Sequence, residues 1–382
     1  MFEDITINNK NNFDLDADPV VKVIGVGGAG CNCINNLVHY DNDKYVKYIS
    51  MNTDVKVLKK SNADVVLQLG RKLTRGLGAG AIPQIGENSA LESKEEIRQI
   101  LEGTDLIFLI AGMGGGTGTG AAPIVAQMAR ELGILVIAVV TKPFNWEQKS
   151  RMKEAILGIE KLKPHVDTLI VISNQKLMNV AKADSYALNT YEIVDDTVRL
   201  AVKGITDIVY QTGHINVDFA DVRTVIQNKG FALMGIGTAS GPNRAVEAVR
   251  KALESKLLEI TIEGATDLIV MVTLPVKGEF FDIATVATEI NNMVGEIAGR
   301  IIFGTSYISE KNEDEITVTI VATGYELAAE KAGIDDFLKD ALNNTGESQL
   351  SFGSGSLKKK EDLSTNNFDD KSGNLPPWLR KK

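Results

Sequence analysis

Glycine is concentrated in three short segments whose composition suits the binding of phosphate groups. They are residues 25–30 (Gly-Val-Gly-Gly-Ala-Gly), 76–81 (Gly-Leu-Gly-Ala-Gly-Ala) and 112–120 (Gly-Met-Gly-Gly-Gly-Thr-Gly-Thr-Gly). Backbone N–H groups in such turns can approach an anion closely, and threonine hydroxyls add further donors. Each segment lies between a predicted strand and a predicted helix, whose N-terminus also favours negative charge. Three such loops predict a site for a polyphosphate larger than the pyrophosphate of a dinucleotide, as in a nucleoside triphosphate.

The first glycine segment alone also permits other interpretations. Gly25, Gly27 and Gly30 fit the dinucleotide-binding fingerprint, and Asp54 follows at about the spacing of its ribose-binding acid. A tight turn without a ligand is a further alternative. An NAD-dependent oxidoreductase would leave residues 112–120 unexplained, and no side chain is a candidate for hydride transfer. Because no Gly-Lys-Ser/Thr occurs, phosphate charge would be met by amides, a helix dipole and a metal ion rather than by a loop lysine.

The overall composition limits the class of protein. A chain of 382 residues suggests two domains with a tail, and a net charge of −9 argues against a nucleic-acid-binding protein. Two cysteines exclude a disulfide framework and fit a reducing compartment, while a zinc site at Cys31 and Cys33 is disfavoured by the scarcity of further ligands. The apolar runs are too short to span a bilayer, and the N-terminus lacks the features of a signal peptide. We therefore expect a cytoplasmic protein without direct membrane insertion.

The first half of the chain alternates between two kinds of hydrophobic pattern. Strands are predicted over residues 20–24, 45–51, 64–69, 106–111, 134–140 and 168–172. Helices are predicted over residues 31–40, 84–102, 121–132 and 149–162. Apolar strands separated by helices predict a parallel sheet covered on both faces, which is an α/β, Rossmann-like domain. A long helix over residues 191–211 follows, with Val194, Val198, Ala201, Ile205 and Ile208 on one face.

The second half is predicted to be an α+β domain followed by a tail. Strands are predicted over residues 231–238, 267–274, 300–309 and 316–323, and helices over residues 243–258 and 282–298. Residues 343–374 are rich in Ser, Asn, Gly and charge, which predicts a disordered linker. The last eight residues regain Trp and Leu and end basic, which favours a short recognition peptide over a random sticky end.

Several of these segments together resemble the tubulin/FtsZ superfamily. The residues that carry the resemblance are the first glycine segment, Asn52-Thr53-Asp54, Gly114 to Gly120 as GGGTGTG, Thr141-Lys142-Pro143-Phe144-Asn145 and Asn216-Val217-Asp218-Phe219-Ala220-Asp221. Within the superfamily the chain is similar to the bacterial cell-division GTPases. The resemblance covers about residues 20–330 and the C-terminal peptide.

The resemblance implies a domain organisation. A flexible arm (1–18) precedes a GTP-binding domain (19–190), a central connecting helix (191–213) and a C-terminal domain with the catalytic loop (214–330). A short helix and the linker (331–374) lead to a partner-binding peptide (375–382).

It also implies a GTP/GDP site with Mg²⁺ on the phosphates and no named protein ligand for the metal. The phosphate contacts it implies are Gly27, Gly28, Gly114, Gly115, Gly116, Thr117, Gly118, Thr119 and Gly120. The implied base and sugar contacts are Asn32, Glu147, Arg151, Asn174, Tyr191 and Asp195, where the Asp195 carboxylate would read guanine. Without the family, Glu147 and Arg151 would form a surface ion pair, and Asn32, Tyr191 and Asp195 would be ordinary surface residues.

The resemblance assigns catalysis to Asn216, Asp218 and Asp221, acting on the nucleotide of the next subunit. From the residues alone, Asp218 would instead cap the following helix, with Asp221 at its third position. The family role implies head-to-tail filaments that form a division ring at mid-cell, on the inner face of the cytoplasmic membrane. Membrane-tethering division proteins would bind the C-terminal peptide through Leu375, Pro377, Trp378, Leu379 and Arg380. A non-catalytic polymer that only binds nucleotide is the remaining alternative.

Overall fold

The computed structural model describes residues 18–40, 45–178, 187–210, 218–254, 265–275, 280–294, 299–308 and 314–324. The chain divides into two units, Met1–Thr345 and Gly346–Lys382, and every described residue belongs to the first. Most of the predicted N-terminal arm, Asn216, the predicted linker and the C-terminal peptide lie outside the described residues.

The described chain contains ten strands in one sheet. The strands are β1 (Val21–Val26), β2 (Val46–Asn52), β3 (Val65–Gln68), β4 (Leu106–Gly112), β5 (Leu135–Lys142), β6 (Thr168–Ser173), β7 (Gly230–Ser240), β8 (Asp267–Pro275), β9 (Ile301–Ile308) and β10 (Glu315–Thr323). Their order in the sheet is β3-β2-β1-β4-β5-β6-β7-β10-β8-β9. Neighbouring strands from β3 to β7 are parallel, whereas β10 runs antiparallel to both β7 and β8. The predicted parallel, Rossmann-like sheet is therefore confirmed.

Twelve α-helices connect the described strands. They are α1 (Gly27–Tyr40), α2 (Val55–Leu58), α3 (Arg71–Thr74), α4 (Pro83–Glu92), α5 (Lys94–Leu101), α6 (Thr117–Glu131), α7 (Lys149–Leu162), α8 (Asn174–Met178), α9 (Ala187–Tyr210), α10 (Phe219–Ile226), α11 (Arg244–Leu253) and α12 (Phe280–Val294). None of the described helices is both long enough and apolar enough to cross a lipid bilayer.

The central strands are apolar throughout because both of their faces are covered. In β4, Leu106, Phe108 and Ile110 pack in one cluster with residues of α1, α9 and α10. The alternate residues Ile107 and Leu109 pack in a second cluster with α5, α6 and α7 on the other face. Side chains of a strand alternate between faces, so this continuous apolar run is what a three-layer arrangement requires.

The helix α9 runs along one face of the sheet, from the carboxyl ends of the parallel strands to their amino ends. Its buried face carries the residues that the sequence pattern predicted, Val194, Val198, Ala201, Ile205 and Ile208. At its C-terminal end, the Tyr210 hydroxyl donates to the carbonyl of Pro19 (2.6 Å) and accepts from the amide of Val21 (3.1 Å), where β1 begins. A 24-residue helix is about 36 Å long. The helix therefore links the two ends of the parallel strands.

Several helix boundaries differ from the predicted ones, and three of the differences bear on the glycine segments and their surroundings. The predicted helix over 84–102 is two helices, since Ser93 leaves the helical conformation and its hydroxyl accepts from the amide of Gly70 (3.0 Å). The helices predicted to begin at residues 31 and 121 begin at Gly27 and Thr117, four residues earlier in each case. Glycines of the first and third segments thus form part of the first turns of α1 and α6. Some of them, such as Gly27 and Gly30, lie too close to other backbone atoms to carry a side chain.

Candidate functional site

The first and third glycine segments meet at the carboxyl ends of β1 and β4, which are neighbouring parallel strands. Gly27 has a φ of 77°, and a Cβ atom on it would lie 2.7 Å from the amide nitrogen of Gly118. Only glycine combines this backbone conformation with so close an approach. The two segments are therefore fixed against each other, and the amino ends of α1 and α6 open onto the same space.

Two other glycines in these segments have open space where a side chain would be. A Cβ atom on Gly28 or Gly115 would meet no atom within 4 Å, apart from its own neighbours in the chain. The N-cap residue of α6 is Gly116, which has no side chain to accept a hydrogen bond from the first turn. Backbone amides at this point are thus accessible to an anion, which is how a helix N-terminus binds phosphate.

A cavity of about 230 Å³ lies in front of these amides. It is lined by Gly28, Ala29, Gly112, Met113, Gly115, Gly116, Thr117, Gly118, Thr141, Pro143, Glu147, Arg151, Asn174 and Tyr191. A wider cavity of about 940 Å³ shares five of these residues and adds Gly114, Trp146 and part of α4 to the lining. The structure therefore brings the first and third glycine segments together with the region from Pro143 to Arg151.

The two threonines of the third segment have different surroundings. The Thr117 and Thr53 hydroxyls are hydrogen-bonded at 2.7 Å, and Thr117 lines the cavity. The Thr119 hydroxyl accepts from the amide of Gly114 (2.9 Å) and so holds the loop. Thr119 and Gly120 line a separate cavity between α4, α6 and α7, and a Cβ on Gly120 would collide with the carbonyl oxygen of Pro83. The geometry gives these two residues a packing role, and their contact with phosphate stays a prediction.

The wall opposite the glycine segments is formed by α7 and α9. Arg151 forms a salt bridge of 2.7 Å with Glu147, whose carboxylate also accepts from the amide of Phe144 (2.9 Å). The Tyr191 ring meets Phe144 edge to face, with 5.5 Å between ring centroids. Burial, and to a smaller extent the charge of Glu147, raises the pKa of Tyr191. The ion pair expected from the i,i+4 spacing is present, and both of its members face the cavity.

Asn174 has an unsatisfied polar atom beside the cavity. The residue is 7% exposed, and its Oδ1 atom has no hydrogen-bond partner among the described residues. A buried polar group without a partner costs about 1–3 kcal/mol. Since Asn174 lines the cavity, a ligand that donates a hydrogen bond there would remove this cost.

Asp195 lies one helical turn after Tyr191 and is half-buried. Burial raises the pKa of its carboxyl to about 6, although a hydrogen bond from Cys33 acts in the opposite direction. The thiol of Cys33 donates to Oδ1 of Asp195 at 2.8 Å. Asn32, next to Cys33 on α1, is exposed. Neither Asn32 nor Asp195 lines either of these cavities, and their contact with a nucleotide stays a prediction.

Asp218 and Asp221, which were predicted to be catalytic, lie outside the linings of these cavities. Asp218 is the N-cap of α10, and its carboxylate accepts from the amide of Asp221 (2.7 Å), as the capping alternative requires. Both carboxylates are exposed, and neither lines the cavities described above. The carbonyl of Ile226, at the end of α10, accepts from the Thr168 hydroxyl (2.7 Å), where β6 begins. Asn174 follows the other end of β6, so the last residue of α10 lies at the amino ends of the parallel strands, away from the glycine segments.

Asp54, the acid that a dinucleotide site would use, is engaged locally. Its carboxylate accepts from the amide of Lys56 (2.8 Å) and caps α2.

Comparison with known proteins agrees with this arrangement. Residues 20–182 match the family model described as Tubulin/FtsZ family, GTPase domain, and residues 230–326 match the FtsZ family, C-terminal domain. An empty FtsZ dimer from M. jannaschii is 40% identical, with a TM-score of 0.77, over 81% of this chain and 89% of that one.

Two more distant structures share the fold. CetZ1 from Haloferax volcanii, a GDP-bound monomer, is 20% identical with a TM-score of 0.71, over 85% of this chain and 99% of that one. CetZ2 from the same organism, a protofilament bound to GTPγS, is 18% identical with a TM-score of 0.70, over 86% of this chain and 99% of that one. The identity to FtsZ over most of both chains and the two family models lead to one conclusion: the chain belongs to the tubulin/FtsZ family of GTPases.

Proposed function

We propose that this protein binds GTP in the glycine-lined cavity and hydrolyses it only when a second copy supplies Asp218 and Asp221. The observation that carries the proposal is their separation: the cavity has amides and a positive helix terminus but neither of these carboxylates. The acids are exposed at the start of α10, whose last residue lies at the amino end of β6. An open cavity and exposed acids at separate positions suit a head-to-tail contact, which does not close and so grows a filament.

In this mechanism the cavity positions the nucleotide. The amides around Gly28 and Gly115 would bind the phosphates, Glu147, Arg151 and Asn174 the sugar and neighbouring groups, and Tyr191 the base. Asp195 would accept from the N1–H and amino group of guanine, whereas adenine presents an acceptor at N1. Bound magnesium would neutralise phosphate charge, held largely by phosphates and water. Phosphoryl transfer depends mainly on such positioning and charge stabilisation.

The second subunit would complete the site. Asp218 and Asp221, as exposed carboxylates, would orient and polarise the attacking water, and Asn216 would position the loop or the γ-phosphate. Loss of the γ-phosphate would weaken the contact between subunits. The biological role that fits such a polymer is a cytoplasmic division ring at the inner face of the membrane, tethered through the C-terminal peptide.

A mixing experiment tests the shared site. Gly115→Val should fill the cavity and abolish GTP binding, whereas Asp221→Ala should bind GTP and polymerise but hydrolyse poorly. Each variant alone should release little phosphate. An equimolar mixture should recover part of the wild-type rate, because the intact loop of one variant meets the intact cavity of the other. Turnover per subunit should also rise steeply with protein concentration.

Three results would contradict the proposal. Normal turnover by Asp221→Ala would remove the catalytic role of that carboxylate. A mixture no more active than its separate components, with both variants folded, would place all catalytic groups within one chain. Polymerisation with GTP but without phosphate release in the wild type would favour the non-catalytic polymer.

A further inference from the structure

Cys33 contacts a residue that the proposed function assigns to recognition of the base. It lies on α1, is 2% exposed and packs in the core cluster between α1 and the sheet. Its Sγ atom is nevertheless 2.8 Å from Oδ1 of Asp195, on a helix 162 positions later in the chain. Burial, followed by the nearby charge of Asp195, raises the pKa of the Cys33 thiol well above its usual range. The thiol therefore remains protonated and acts as a hydrogen-bond donor.

The carboxylate of Asp195 has limited support from other groups. Among the described residues, Cys33 is the hydrogen-bond donor to this carboxylate. The acids closest in sequence, Glu192 and Asp196, oppose its charge, and Asp196 forms its own ion pair with Arg199 (3.4 Å). A half-buried carboxylate needs a donor to be stable in one orientation. Cys33 provides that donor from a different helix. Its hydrogen bond therefore connects α1 to α9 at the carboxylate that is proposed to bind the base.

We propose that Cys33 is a positioning residue for guanine recognition, whose thiol fixes one oxygen of Asp195 so that the carboxylate faces the base. This inference rests on the proposed function, since it assumes that Asp195 reads guanine. A guanine base presents two parallel donors, and a carboxylate accepts both only when its plane is correctly oriented. Hydrogen bonds to charged groups are stronger than neutral ones, so this thiol can fix that plane.

The test compares guanine selectivity in Cys33→Ala and Cys33→Ser, using the ratio of ADP to GDP dissociation constants for the full-length protein. Loss of a hydrogen bond to a charged group predicts that Cys33→Ala lowers this ratio about tenfold. Cys33→Ser keeps a donor and should stay within about threefold of wild type. In an Asp195→Ala background, Cys33→Ala should have no further effect, because the thiol would then have no carboxylate to orient.

Cys31→Ala is the matched control. Cys31 is a second fully buried thiol on α1, but its Sγ contacts the carbonyls of Gly25 and Met51 rather than Asp195. Its removal should leave the ratio unchanged, and thermal melting of each apoprotein separates loss of stability from loss of selectivity.

Three outcomes would overturn the inference while leaving the proposed function intact. They are a wild-type ratio in Cys33→Ala, an equal loss in the Ala and Ser variants, and a parallel loss of GDP and ADP binding. A wild-type protein without preference for GDP over ADP would overturn the proposed function, and this inference with it.

Discussion

Opposing influences on a single carboxylate make Asp195 sensitive to pH. Burial raises its pKa to about 6, the Cys33 hydrogen bond favours the ionised form, and Asp196 and Glu192 disfavour it. The proposed recognition of guanine by Asp195 requires the ionised form, because a protonated carboxyl offers a donor where the base also has one. The ionised fraction is nearly complete above the pKa and falls as the pH drops through it.

GTP affinity should therefore weaken as the pH falls from 7 to 5, approaching a tenfold loss per unit below the pKa. Isothermal titration at a series of pH values measures this. The terminal phosphate also gains a proton at about pH 6, so Asp195→Asn serves as the control for that contribution. The same slope in wild type and Asp195→Asn would show that Asp195 does not titrate in the recognition step.

Local spacing along the chain predicts some of the contacts at these residues but not all of them. The Glu147–Arg151 pair and the cap by Asp218 follow from local spacing, and both are present. The role of Asp195 required the family resemblance, since nothing in its neighbourhood along the chain distinguishes it from a surface acid. The contact with Cys33 was missed because a cysteine on an apolar helix face indicates only burial. No local pattern could reveal a partner 162 positions away.

At the scale of elements, the glycine segments that lead into α1 and α6 contain two classes of glycine. Gly27 has a positive φ, and a Cβ atom on it would lie against the backbone of Gly118. A Cβ atom on Gly115 would point into open space. Substitutions at the two positions should consequently have different effects.

Gly27→Val should destabilise the protein by roughly 2 kcal/mol or more, because it adds backbone strain to overpacking. Gly115→Val should leave the melting temperature within error of wild type and weaken GTP binding more than about tenfold, since its side chain would occupy the phosphate space. Thermal melts with GTP titrations distinguish them. A strongly destabilised Gly115→Val protein would mean that the open space has a structural rather than a binding role.

The element boundaries followed the sequence wherever apolar periodicity set them. Helix α7 was predicted at its observed bounds, and strands β4, β6 and β8 within one residue at each end. The early starts of α1 and α6 were not predicted, because glycine has a low helix propensity and these turns are stabilised by contacts between segments. The break at Ser93 depends on Gly70, which belongs to a different element.

At the scale of the whole molecule, the two family domains share one sheet. Strands β6 and β7 pair over only three residues, from Thr168 with Gly230 to Ile170 with Ala232. Residues of α9 and α10 pack in one core cluster that also contains residues from strands of both family domains. The second half therefore extends the sheet of the first, and the division predicted at residues 190 and 214 stays a prediction.

The C-terminal peptide lies beyond both family models, the second of which ends at residue 326. Deleting residues 375–382 should leave GTP turnover and filament sedimentation unchanged, because no part of the cavity or of α10 is removed. The same deletion should abolish localisation of the protein to the division site in cells. Loss of sedimentation in the purified deletion variant would instead assign the peptide to assembly.

The aromatic stack beside the cavity has a spectroscopic consequence. Trp146 lines the wider cavity, is 65% exposed and stacks on Phe144 with 5.4 Å between ring centroids. The chain has two tryptophans, and the other is Trp378 in the C-terminal peptide. The deletion of residues 375–382 thus leaves a single indole fluorophore, located at the mouth of the nucleotide cavity. Its emission should therefore respond to the proposed binding of a nucleotide and to the proposed contact with a second subunit, without any added label.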